Sequence, residues 1–164
     1  MTPWLAIAAS LIALDQWTKH AIKNALSVSG PIEVTPFFNL VLAYNRGAAF
    51  SFLAGASGWQ RELFITIALI ASVWILYLLY KFREQTLFCF ALTLILAGAI
   101  GNVIDRVQIG AVVDFLDFHA AGWHFPAFNV ADSAISCGAA LLIWESFRPV
   151  VKLGVKSEES EARS

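Results

Sequence analysis

Four apolar stretches divide the chain, and the polar residues that interrupt or bound them define what each can be. The first runs from Pro3 to about Ile22, unbroken to Leu14 and then interrupted by Asp15, Gln16, Lys19 and His20. The second, Leu63–Tyr80, and the third, Leu87–Ile104, carry no charge, and the fourth, Val130–Phe147, has Asp132 near its start. About 18–20 residues at about 1.5 Å each cover roughly 27–30 Å, the thickness of a hydrocarbon core. The pattern therefore predicts a membrane all-α fold of four transmembrane helices, at about 3–22, 63–80, 87–104 and 130–147.

The first stretch has a competing reading as a signal peptide. Trp4–Leu14 has the length of an apolar signal core, and Ala25-Leu26-Ser27 offers small residues for cleavage. A basic leader is lacking, however, and Asp15 and Lys19 fall where the run should end cleanly, which favours a span.

Basic residues orient the array. Lys81 and Arg83 fill the short link between the second and third stretches, and Arg148, Lys152, Lys156 and Arg163 follow the fourth. The positive-inside rule makes both regions cytoplasmic, placing the N- and C-termini inside and the two longer links outside. The first outer link, Ser27 to Gln60, is rich in β-branched and aromatic residues from Pro31 to Gly47. It predicts a small extracytoplasmic β-sheet between helices 1 and 2, at about 31–53, its end through Leu53 lying along the membrane surface. A Gly55–Gly58 stretch there suits a lid. The second outer link, Asp105 to Asn129, places Asp114, Asp117, His119 and His124 among Phe and Trp. Residues 1–156 read as one domain, and the polar, acidic tail 157–164 as a disordered cytoplasmic end.

Composition agrees with lipid rather than water as the surrounding medium. The 164 residues are 59% hydrophobic and only 14% charged, with mean hydropathy +0.69, whereas soluble domains run nearer a quarter charged. A net charge of −1 provides no basic footprint for nucleic acid. Cys89 and Cys137 are too few for a disulfide framework or thiolate cluster and read as small buried core residues. No internal repeat suggests a transporter built from inverted halves.

The acids at the outer ends of the last two spans carry the candidate chemistry. Asp114 lies in Val112-Val113-Asp114-Phe115, and Asp132 in Phe128-Asn129-Val130-Ala131-Asp132. Consecutive antiparallel spans bring such ends together at little topological cost. Two carboxylates sharing a dry site cannot both ionise, so one keeps a proton to donate to a carbonyl while the other takes a proton from water. That combination hydrolyses an amide with neither a metal nor a covalent intermediate. Asp132 could equally serve only to cap its helix, and spacing does not separate Asp114 from Asp117. Asp15 and Lys19, at i,i+4, form either a neutralising pair or a substrate contact. Asn102 and Arg106 share the same spacing, with Arg106 suited to a phosphate or backbone carbonyl and Asp105 to a partner at the water boundary. Ala97 and Gly101 form a small-xxx-small pair for close helix packing. Asp114, Asp117, His119 and His124 lack a recognised metal spacing, no phosphate loop or dinucleotide fingerprint occurs, and no cofactor is expected.

Five segments in order resemble the motifs of the lipoprotein signal peptidase (signal peptidase II) family of bacterial aspartic endopeptidases. They are Asp15-Gln-Trp-Thr-Lys19, Asn45-Arg-Gly-Ala-Ala-Phe50, Gly101-Asn102-Val-Ile-Asp105-Arg106, Val112-Val-Asp114-Phe115 and Phe128-Asn129-Val-Ala-Asp132. The resemblance spans the four stretches and implies Asp114 and Asp132 as the catalytic dyad, without Asp117. It implies Asp15, Lys19, Asn45, Gly47, Asn102, Arg106 and Asn129 as residues that line or support the substrate site. It further implies that the first outer link forms a cradle on the membrane. The substrate would be a prolipoprotein carrying a diacylglyceryl-modified cysteine, cleaved on that cysteine's N-terminal side in the bacterial inner membrane. A monomer is expected, though the sequence itself does not determine the oligomeric state. The competing expectations are a non-enzymatic membrane carrier or assembly partner and a metal-dependent membrane hydrolase.

Overall fold

The computed structural model describes residues 1–47 and 59–147. Ala48 to Phe50 of the second motif, the apolar segment through Leu53, the Gly55–Gly58 stretch, the basic residues from Arg148 onward and the tail 157–164 lie outside them. The elements in chain order are α1 (Thr2–Ser29), β1 (Ile32–Thr35), β2 (Phe38–Asn45), α2 (Trp59–Lys81), α3 (Thr86–Ile109), β3 (Val112–Ala120), β4 (Trp123–His124) and α4 (Val130–Ser146).

α3 is the central helix, packed against α1, α2 and α4. Its buried residues run from Cys89 to Asp105. One end of the bundle closes on an apolar cluster of Ala8, Ile75, Leu79, Cys89, Leu92, Leu96 and Ala97. α2 covers that cluster with one face and leaves Ile67, Ile70, Val73 and Trp74 more than half exposed, a stripe that water would penalise. By length and composition, α2 and α3 are long and apolar enough to cross a membrane. α1 is diluted by its polar residues, and α4 has 17 residues.

Glycine sets the approach of α3 to α4. A Cβ on Gly98 would collide with the Ala131 carbonyl oxygen, and one on Gly138 would lie 2.6 Å from that of Ala91. Of the pair the sequence marks, Gly101 does admit close neighbours, Asp15 of α1 and Ala131 of α4. Ala97 instead faces the apolar cluster, and Gly98 makes the tighter approach to α4.

The structure departs from sequence expectation in four further places. α1 continues through Ser29 before Gly30 and Pro31 stop it, so the small residues at 25–27 are helical. α3 continues to Ile109 and ends on Gly110 in the left-handed conformation. The sheet is antiparallel in the order β1-β2-β3-β4, so the connection between α3 and α4 builds half of it. β3 is a nine-residue strand of β-branched, aromatic and acidic residues, paired along β2 from Phe38↔Phe118 to Asn45↔Val112. Finally, Cys89 is buried but Cys137 is exposed, which corrects its expected place in the core: Cys137 precedes Gly138, whose side of α4 faces α3, and points away from it.

Candidate active site

The junction of α1, α3, β3 and the start of α4 holds a polar cluster in an otherwise apolar molecule. Its base is an ion network. Lys19, 2% exposed, reaches Asp15 Oδ2 at 2.8 Å and Asp105 Oδ2 at 2.9 Å, and donates to Asn102 Oδ1 at 3.2 Å. An ammonium has three protons, so these three acceptors use all of them. The carboxylates are equally satisfied. Asp15 Oδ1 accepts from the Ala131 N–H and Asp105 Oδ2 from the Val113 N–H. Gln16 Nε2 donates to Asp15 Oδ2, to Asp105 Oδ1 and to the Gly101 carbonyl. Buried charge survives when paired and hydrogen-bonded in this way. Asp105 is therefore an interior group, 5% exposed, and not a water-boundary partner: Lys19 of α1 draws it inward.

The network dictates the direction of the amides above it. Lys19 can only donate, so Asn102 turns its oxygen toward Lys19, and its Nδ2 donates to Asp132 Oδ1 at 2.7 Å. Asn129, fully buried, is the N-cap of α4. Its Oδ1 accepts from the Asp132 N–H at 2.9 Å, and Asp132 Oδ2 accepts from the Asn129 N–H at 3.3 Å, closing a capping box. The Asn129 Nδ2 then faces β3 and donates to Asp114 Oδ1 at 2.7 Å and to the Val113 carbonyl at 3.2 Å. Asn45, at the end of β2, donates to Asp114 Oδ2 at 3.1 Å. Asp132 thus caps its helix and also meets Asn102, while Asp114 reaches the same cap through Asn129.

Burial and, secondly, the charge of Asp132 raise the Asp114 carboxyl from 3.8 to about 6, against the opposing amide donors. Asp132 sits in the first turn of α4, where helix geometry favours a negative charge. Arg106, on the last turn of α3, lies within electrostatic reach of both carboxylates.

Among the residues singled out from sequence, Asp114, Asp132, Asn45, Asn102 and Asn129 form one hydrogen-bonded cluster, with Asp15 and Lys19 beneath it. Gly47 joins through its N–H, which donates to Asn45 Oδ1 at 2.9 Å. Asp117 has separate partners: His124 Nδ1 at 2.9 Å and Asn39 Nδ2 at 3.2 Å. The His124 hydrogen bond is the main reason its carboxyl lies below the ordinary value. His119 stacks on His124. Among the described residues, no group of three or more His, Cys, Asp and Glu is placed to hold a metal ion. Gln16 is the participant that the sequence does not mark; its only signal is its position between the charged residues of the first motif.

Comparison with known proteins gives this geometry its context. The family described as signal peptidase (SPase) II matches residues 7–148. A lipoprotein signal peptidase of Janthinobacterium sp. (strain Marseille) is 58% identical over 152 residues, covering 93% of this chain and 92% of the relative. One from Ralstonia nicotianae is 57% identical over 148 residues, covering 90% and 86%. A bacterial membrane enzyme solved by the in meso method at 2.3 Å resolution is similar with TM-score 0.81 and 34% identity, over 95% of this chain and 94% of its own.

Proposed function

The chain belongs to the signal peptidase II family, bacterial membrane proteases that remove signal peptides from lipoproteins, and from that premise we propose that it is an aspartic endopeptidase acting through Asp114 and Asp132. The observation that carries this reading is the Asn129 side chain, which binds the Asp132 N–H with its oxygen and Asp114 Oδ1 with its nitrogen. The comparisons lend no support to a carrier or assembly partner.

In this reading Asp132 is the base. Its two oxygens accept from Asn102 Nδ2 and the Asn129 N–H, which fix the carboxyl at the start of α4. Asp114, buried and raised to about 6, holds the shared proton, and the two titrate as a pair. Asp132 removes a proton from water as the water oxygen attacks the scissile carbonyl, and Asp114 donates its proton to the carbonyl oxygen. Collapse of the tetrahedral adduct returns that proton to Asp114, while the proton on Asp132 passes to the leaving amine. Asn45, Asn102 and Asn129 hold the carboxyls; Asp15 and Lys19 hold Asn102; Arg106 supports the charge between them.

The topology proposed with this mechanism has α1 to α4 as four spans of a single domain, 1–156, with both termini cytoplasmic. The sheet then lies outside and the acids lie at headgroup depth. A diacylglyceryl group on the substrate cysteine would keep its acyl chains in the bilayer and bring the bond on that cysteine's N-terminal side to the carboxyls. The exposed apolar stripe of α2 supports a lipid surround.

The test uses the purified full chain with modified and unmodified prolipoprotein in excess EDTA. The reading predicts cleavage of the modified substrate at the rate seen without chelator. Loss of turnover in EDTA contradicts it, and equal cleavage of the unmodified protein contradicts the lipid-anchored substrate.

A further inference from the structure

Phe64 of α2 touches the supports of both carboxylates, and we propose that it is a positioning residue for the peptidase reaction, holding the Arg106 guanidinium and the Asn45–Gly47 turn in register with Asp114 and Asp132. The proposal deepens the dyad reading and rests on it.

Two independent contacts converge on this one ring. The Arg106 guanidinium carbon lies 5.1 Å from the ring centroid, within the range in which the quadrupole of the face attracts a cation. Arg106 Nη1 also donates to the Asn102 carbonyl at 3.3 Å, so the guanidinium is held between the ring and the last turn of α3. The edge of the ring meets Gly47. That residue has φ +104°, and a Cβ there would fall 2.6 Å from Phe64 Cε2 and 3.0 Å from Cδ2. The ring therefore sets how closely this turn approaches α2. Because the Gly47 N–H occupies Asn45 Oδ1, the Asn45 Nδ2 is left for Asp114 Oδ2.

In the chain, Phe64 is one apolar residue among many in a long apolar helix, outside all five motifs. A filler of space could be replaced by Leu. A ring that orients a guanidinium could not, because Leu offers no face and leaves Arg106 free to rotate. Tyr keeps the face and the edge.

The experiment measures kcat and KM on diacylglyceryl-modified prolipoprotein for Phe64→Leu, Phe64→Tyr, Arg106→Lys and the Phe64→Leu/Arg106→Lys double variant. Lys keeps the charge but not the planar group that stacks on the ring. Phe64→Leu is expected to lower kcat about tenfold with KM changed less than about twofold, the pattern of a group felt in the transition state. Phe64→Tyr is expected to stay within about threefold of the unmodified enzyme, and Phe64→Leu to cost under about threefold in the Arg106→Lys background. Equal losses in the two backgrounds, or a Tyr variant as impaired as the Leu variant, overturn the proposal. If Phe64→Leu does not accumulate, Phe64→Met makes the same comparison. Asp132→Asn is assayed alongside: its turnover would show failure of the dyad reading, whereas additive losses beside an inactive Asp132→Asn show failure of the Phe64 proposal alone.

Discussion

The Asn129 Nδ2 donates to Asp114 Oδ1 at 2.7 Å, with a polarity set by the capping of α4. The Asp132 N–H occupies the Asn129 oxygen, so the amide nitrogen must face the strand. A helix cap and a strand carboxylate are thereby fixed to one side chain, and small displacements of α4 carry to both acids.

Asp117 serves as the internal control for this arrangement. It shares β3 with Asp114 but binds His124 and Asn39. Asp117→Asn is expected to retain kcat/KM within about threefold, because its hydrogen bonds go to His124 and Asn39 and to neither acid. Steady-state kinetics on modified prolipoprotein check this, and a loss comparable to that of Asp114→Asn would contradict it.

The dependence on pH follows from the position of the shared proton. Donation to the carbonyl needs Asp114 protonated, so kcat/KM is expected to fall as pH rises past the Asp114 carboxyl, which burial and the Asp132 charge push up to about 6. The Asn45 hydrogen bond favours ionised Asp114. Asn45→Ala therefore moves the basic limb to higher pH. A pH–rate profile in which that limb stays in place or moves down contradicts the assignment.

Lys19 neutralises the buried Asp15 and Asp105. Lys19→Met leaves two buried carboxylates without a cation and is expected to cost about 3–5 kcal/mol of stability. Activity is expected to fall with it, since the Asn102 oxygen then keeps only the longer hydrogen bond from Asn129 Nδ2, at 3.4 Å, to hold it away from Asp132. Thermal unfolding in detergent measures the first effect; an unchanged Tm would contradict the network's role.

Gly98 tests the packing that carries Asp132. A Cβ there meets the Ala131 carbonyl oxygen and, at 2.6 Å, Ile135 Cγ1, so α4 must move. Overpacking of this kind costs about 1–3 kcal/mol. Because Ala131 adjoins Asp132, Gly98→Ala should also lower kcat by at least about tenfold through misplacement of the carboxylate. Unaltered kinetics would show that α4 yields without disturbing the acid.

The helices were legible wherever apolar runs are long, and their ends were not, because Gly30 and Gly110 stop α1 and α3 later than hydropathy fades. The first two strands follow from local residue type. β3 carries similar residues, but its partner lies far back in the chain, and the pairing of Asn45 with Val112 is a non-local event. The five motifs name the residues of the cluster without their directions. Those come from donors and acceptors that sequence does not pair: Lys19 on Asn102, Gln16 on Asp105, Asn129 on Asp114. Phe64 is illegible because nothing in an apolar run distinguishes a ring that holds a guanidinium from one that faces lipid.

The most direct test of the central claim is single-turnover cleavage of a diacylglyceryl-modified prolipoprotein by purified Asp114→Asn and Asp132→Asn, each confirmed as folded by its thermal transition. The account predicts a loss of at least about a thousandfold for each variant, with the double variant no worse than either alone, because the carboxyls act as a unit. Cleavage by either single variant at the unmodified rate would contradict it.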